Sequence, residues 1–271
     1  MLPADRFSNR VDDYVRARPG YPDEVVTTLS ACFGLSPSWT IADVGAGTGI
    51  SAALLLRHGC TVIAVEPNHA MRDAAVGLLG ENTRFRAVDA TAEATTLDAN
   101  SVDAVFAAQA FHWFDRRRFR AECLRILKPR GIVALLWNVR RAAASPFGAG
   151  YEALLREFAT DYLAVRHENV SDEELAEFFG GPFERHVFDN VQVLDREGLR
   201  ARLISSTYGP AVGQARHEPM SAALEALFQA HQQDGSVAME YELRMYASSP
   251  SAPSPRPPSQ RPTGSTPSSA S

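Results

Sequence analysis

Apolar positions along this chain follow two alternating rhythms. Short continuous runs at 41–44, 61–65, 85–88, 102–108 and 132–138 have the length and β-branched content of buried strands. Between them, residues 23–33, 50–58, 68–79 and 115–127 repeat apolar side chains every three or four positions, the spacing of helices lying on a sheet. Strand and helix in turn predict a βαβ series, with helices on both faces of a parallel sheet. After residue 140 the rhythm changes. Residues 151–181 read as a helical pair, its second member opened by a Ser171-Asp-Glu-Glu174 box. Alternation at Val187, Val191 and Val193 predicts a strand over 183–194, followed by a helix over 196–204, another through Leu227 and His231, and a strand over 237–246. A hairpin at that edge completes a seven-stranded α/β sheet whose last strand is antiparallel. Residues 248–271 are mostly serine and proline, so a domain over 1–247 and a disordered tail are expected.

The first strand runs directly into Asp43-Val-Gly45-Ala46-Gly47-Thr48-Gly49. Strand, tight turn and helix start in this order suit a ligand that must approach backbone, because glycine has no Cβ and accepts φ > 0. The spacing departs from the dinucleotide fingerprint G-x-G-x-x-G/A, since Ile50 stands where its third small residue belongs. The second strand closes on Glu66-Pro67, seventeen residues past Gly49, and a carboxylate there can accept both hydroxyls of a ribose.

With these two motifs the sequence resembles the class I S-adenosylmethionine-dependent methyltransferases, in particular small-molecule enzymes related to trans-aconitate methyltransferase. The resemblance implies a Rossmann-like fold, S-adenosyl-L-methionine as cofactor, and Glu66 on its ribose. Asp43, Ala46 and Thr48 would line the amino-acid end of the cofactor with the three glycines. Asp89, at the end of the third strand, would accept from the adenine amino group, with the Ala90 N–H on a ring nitrogen; a strand-end acid making only a local turn is the plainer alternative. The family also carries a segment matching Gln109-Ala-Phe111-His112-Trp113-Phe114. Gln109 joins the cofactor set, and Phe111 and Trp113 can wall a dry pocket. His112 is either a general base or a locally satisfied pocket histidine. The N-terminal pattern of Phe7, Tyr14, Arg18, Pro19, Tyr21 and Pro22 matches a lid over the cofactor, or else a segment that caps the core. On this basis residues 1–36 are lid and first helix, and residues 140–181 a helical cap over the substrate. The family usually has K-P-G-G before its fifth strand, where this chain has Lys128-Pro129-Arg130-Gly131, so an adjusted turn is expected.

Composition narrows the partners. A formal charge of −5 argues against a nucleic-acid surface, and Arg116-Arg117-Arg118, the compact basic run, fits a solvated helix start at least as well as a phosphate contact. No window approaches the length of a membrane span, and no export signal is expected at the N-terminus. The three cysteines, Cys32, Cys60 and Cys123, lack disulfide or zinc-motif spacing, which points to a reduced, cytoplasmic protein with no metal. Two other functions use similar parts. A nicotinamide-dependent oxidoreductase also has a glycine turn and a strand-end acid, although Asp43, Ile50 and Asp89 speak against it; a catalytically silent cofactor-binding protein would bind without turnover.

Overall fold

The computed structural model describes residues 18–159, 170–204, 210 and 214–250. A first helix, α1 (Glu24–Phe33), precedes the alternating series β1 (Thr40–Val44), α2 (Ile50–Arg57), β2 (Thr61–Val65), α3 (His69–Leu79), β3 (Phe85–Val88), β4 (Val102–Ala108), α4 (Arg116–Ile126) and β5 (Leu127–Arg140). Then follow α5 (Pro146–Phe158), α6 (Asp172–Phe179), β6 (Glu184–Asp195), α7 (Arg196–Ile204), α8 (His217–His231) and β7 (Ser236–Ser248). The sheet order is β3-β2-β1-β4-β5-β7-β6. β1 through β5 pair in parallel, and β7 inserts antiparallel between β5 and β6. The order in which strands are added reverses at β1, where β2 lies on one side and β4 on the other, and ligands of open α/β sheets bind at the carboxyl ends of strands at such a point.

Helix boundaries follow their caps. The side chains of Asn68, Asp115 and Ser171 each accept from a backbone N–H in the first turn, and Ser171 with Glu174 forms the reciprocal capping box. Val25, Val26 and Leu29 of α1 and Leu54 and Leu55 of α2 bury one sheet face. Phe119, Cys123 and Ile126 of α4 cover the other, together with Leu175, Phe178 and Phe179 of α6.

The two helices expected within 151–181 are present as α5 and α6, and the fold adds where they pack: α6 joins the sheet face covered by α4, whereas Tyr151, Leu154 and Leu155 of α5 pack with α7, α8 and β7 in a separate cluster. The Lys128–Gly131 segment is not a turn ahead of the strand. β5 begins at Leu127, and the β4–β5 register shifts between Val102 and Ala104, which accommodates the extra residues as a bulge. Arg130 sits there at φ 68°, the conformation for which glycine is suited, while Lys128 is held by both carboxylate oxygens of Asp103 at 2.8 and 3.0 Å. On β6 the apolar alternation faces outward, with Val187, Val191 and Val193 50%, 55% and 69% exposed on an edge strand. Phe7 and Tyr14 and the tail from 251 onward lie outside the described residues.

Candidate functional site

The glycine turn leaves β1 with three left-handed residues, Gly45 at φ 68°, Gly47 at 56° and Gly49 at 85°. They are glycines for different reasons. A Cβ on Gly45 would meet Ala110 Cβ at 2.6 Å and the Phe114 ring at 3.1 Å, and one on Gly49 would meet Leu79 at 2.7 Å. Those two permit close packing. At Gly47 nothing lies within 4 Å of the Cβ position, so this turn residue faces open space.

Glu66 braces the turn. Its Oε2 accepts from the Gly47 N–H and its Oε1 from the Asn68 N–H, both at 2.9 Å. Each oxygen keeps a further lone pair for a ligand hydroxyl. Burial pushes the Glu66 carboxyl up, against the two backbone hydrogen bonds and the Arg72 charge, which favour its ionised form. Asp43 is fully buried on β1 and accepts from Ser51 Oγ at 2.7 Å. Its carboxyl is pushed up to about 7, chiefly by burial and further by the nearby Glu66 charge, with the Ser51 hydrogen bond opposing. Among the described residues, Asp43 Oδ1 and the hydroxyl of buried Thr48 have no hydrogen-bond partner. Buried polar atoms normally find one, so a polar ligand group beside the turn is the expected complement.

Asp89 lies at the end of the neighbouring β3 with its side chain 69% exposed, and Ala90 beside it is buried. Arg72 joins the two acids, donating to the Glu66 backbone carbonyl at 2.8 Å and to Asp89 Oδ2 at 3.0 Å. The sequence reading missed Arg72, whose available signal was its place in the first turn of the helix that Asn68 caps, just after the strand-end acid. Ser51 was missed as well, because its hydroxyl reaches Asp43 only once the glycine turn folds α2 back beside β1. Pro67 is exposed next to Glu66, and Ala46 is buried, its N–H near the Val65 carbonyl.

Beyond β4, Gln109 takes φ 57°, with its N–H on the Leu136 carbonyl and its Nε2 on the Asn138 carbonyl at 3.2 Å. The following 3₁₀ turn, Phe111–Trp113, divides the aromatic segment. Phe111 is wholly buried against Phe178, Trp137 and Phe119 and belongs to the core. His112 and Trp113 remain partly exposed, their rings 4.8 Å apart. The Arg18-Pro-Gly-Tyr21 segment is tied down by its backbone: the Gly20 carbonyl accepts from Asn190 Nδ2 at 2.9 Å and from Asn138 Nδ2 at 3.4 Å, and Tyr21 packs on the first core cluster. Neither asparagine was identified from sequence, because β5 and β6 meet this segment only in the fold. His217 is buried in the first turn of α8.

Residues 42–135 match the family described as methyltransferase domain. An uncharacterized methyltransferase of Mycobacterium tuberculosis is 40% identical over 134 residues, 49% of this chain and 52% of the relative. One of Schizosaccharomyces pombe is 34% identical over 138 residues, 49% of this chain and 53% of the relative. The chain thus spans about half the length of the curated relatives it matches. Among solved structures, a protein described as a type II methyltransferase from Anaeromyxobacter dehalogenans superposes with a TM-score of 0.58 at 22% identity, covering 85% of this chain and 97% of that one. A methyltransferase assigned to an antibiotic biosynthesis pathway of Anabaena variabilis gives 0.57 at 23%, covering 85% and 98%. The structural likeness establishes a Rossmann-like fold shared with proteins described as methyltransferases, and the sequence likeness to the methyltransferase domain covers residues 42–135.

Proposed function

We propose that this chain, built around a class I methyltransferase domain at residues 42–135, transfers a methyl group from S-adenosyl-L-methionine to a small-molecule acceptor. The observation that carries the reading is the Glu66 clamp on Gly47 beside two buried, unsatisfied oxygens, Asp43 Oδ1 and Thr48 Oγ1. The residues fit the cofactor: an open backbone at Gly47, a carboxylate with spare lone pairs for ribose, and a buried acid suited to an ammonium group. When bound, the cofactor supplies a sulfonium methyl group activated for in-line displacement.

The chain's part is to hold and dry the site. Gly45 and Gly49 let the turn pack closely, Glu66 and Asn68 fix its path, and Asp43 offers negative charge as it ionises. Asp89, held by Arg72, is assigned to the adenine end together with Ala90, and Gln109 to the rim of the same pocket. For the acceptor, holding the nucleophile on the displacement axis is the main requirement. His112, the partly exposed titratable side chain of the segment after β4, is assigned to proton removal where the acceptor needs it, with Trp113 beside it and Arg18 and Tyr21 on the lid segment. A small acceptor is supported by the net charge of −5, which does not suit a nucleic-acid substrate. None of the described helices is long and apolar enough to cross a membrane, and the free Cys60 and Cys123 thiols suit a cytoplasmic setting.

Titration calorimetry of S-adenosylhomocysteine and, separately, NADH into the full chain tests the cofactor. Binding of the first without the second is expected, and NADH binding overturns the assignment. Product formation from radiolabelled S-adenosylmethionine over an acceptor panel then separates an enzyme from a silent binder.

A further inference from the structure

Away from the glycine turn, the first helix and the edge strand bring together three side chains of a different chemistry. Among the described residues, Cys32, Glu184 and His186 place one ligand atom each within 4.8 Å of one another. Cys32 lies in the last turn of α1, three residues after the fully buried Leu29, and Glu184 and His186 lie two apart on β6. Period two puts Glu184, His186 and Phe188 on the same strand face. Phe188 packs against the core cluster to which Leu29 belongs, so this face is the one turned toward α1. The His186 ring lies nearly parallel to that of Phe188, 18° apart, and His186 Nε2 is 3.0 Å from Glu184 Oε2. Helix register and strand register therefore converge on a single point, and neither depends on a loop.

We propose that Cys32, Glu184 and His186 form a zinc-binding site that clips the first helix to the edge strand. The donor set is a thiolate, an imidazole and a carboxylate, a mixture that favours a borderline-soft ion such as Zn²⁺ over Mg²⁺ or Ca²⁺, which prefer oxygen alone. Zinc bond lengths of about 2.0–2.3 Å put tetrahedral ligands roughly 3.3–3.8 Å apart, so the observed spread closes with small side-chain rotations. Cys32 and Glu184 are exposed and His186 half-buried, which leaves the first two free to rotate and the fourth position open to water. The ion would replace the His186–Glu184 hydrogen bond with two bonds to metal. It would also fix α1 to β6 four to six residues before Asn190, the residue that holds the Gly20 carbonyl on the lid segment. Sequence spacing gave no hint of this site, because its ligands lie on elements far apart in the chain.

The experiment is titration of the reduced, metal-free full chain with Co²⁺, followed by absorbance, then back-titration with Zn²⁺. Expected is one equivalent of Co²⁺ giving a thiolate-to-cobalt charge-transfer band that Zn²⁺ removes. The band should be lost in Cys32→Ser and in His186→Ala, while Zn²⁺ raises the melting temperature of wild type and leaves that of Cys32→Ser unchanged. Cys32 is exposed, so Cys32→Ser should melt with wild type when both are metal-free, which separates loss of the site from loss of fold. No thiolate band at one equivalent, or a band that persists in Cys32→Ser, overturns the proposal. Methyl transfer is not read at any step, so the outcome is independent of the functional assignment.

Discussion

Glu66 Oε2 accepts the Gly47 N–H at 2.9 Å, coupling the acid that ends β2 to the middle of the glycine turn that ends β1. One carboxylate thus shapes the turn and, under the proposed function, also meets the cofactor. Glu66→Ala removes both contributions, and binding of S-adenosylhomocysteine should weaken by about 1–3 kcal/mol, the cost of leaving polar partners unpaired. Calorimetry on the two proteins checks this, and unchanged affinity would remove Glu66 from the cofactor site.

The glycines of the turn should separate by experiment. Gly45→Ala forces a Cβ to 2.6 Å from that of Ala110 at a left-handed position, so it should lower stability by more than the roughly 1–2 kcal/mol of backbone strain alone. Gly47→Ala has open space, so denaturant melts should register only that strain while cofactor affinity falls. Equal stability losses for the two variants would contradict the packing account.

Asp43 makes stability depend on pH. Its carboxyl titrates at about 7 in the fold against 3.8 in the unfolded reference, so between those values the native state holds a proton that the unfolded chain has released. The contribution is complete below about 3.8 and is lost as pH rises through about 7. Asp43→Asn stays neutral throughout. The melting temperature of the variant minus that of wild type should therefore grow from pH 4 to pH 8, and a constant difference would mean that Asp43 ionises normally in the fold.

Arg130 occupies φ 68° on the bulge of β5. Arg130→Gly should relieve a left-handed strain of roughly 1–2 kcal/mol at the entropic expense of an added glycine, for a net gain of about 0.5–1 kcal/mol in urea unfolding. Destabilisation would show that the arginine side chain matters more than its backbone.

His112→Asn tests the proton-transfer role. If the accepted nucleophile must lose a proton, kcat should fall by about 10²-fold or more while the affinity for S-adenosylhomocysteine holds, because His112 is assigned to the acceptor and not the cofactor. Loss of cofactor affinity instead would mark it as a residue that shapes the pocket.

Much of this was legible in the chain. The runs of apolar residues placed all seven strands, the Ser171–Glu174 box placed a helix start, and the glycine motif marked the turn that Glu66 braces, because local pattern and backbone geometry are set by neighbours in sequence. Tertiary contacts decided the rest. Phe111 looked like a pocket wall beside His112, yet α4, β5 and α6 close around it and make it core. Arg72 acquired a role only when β2 and β3 came side by side, and Asn138 and Asn190 only when two distant strands met the backbone of Gly20. The outward face of Val187, Val191 and Val193 shows the limit most simply: alternation fixes which residues share a face, but only the sheet order, with β6 at the edge, decides which face meets the core.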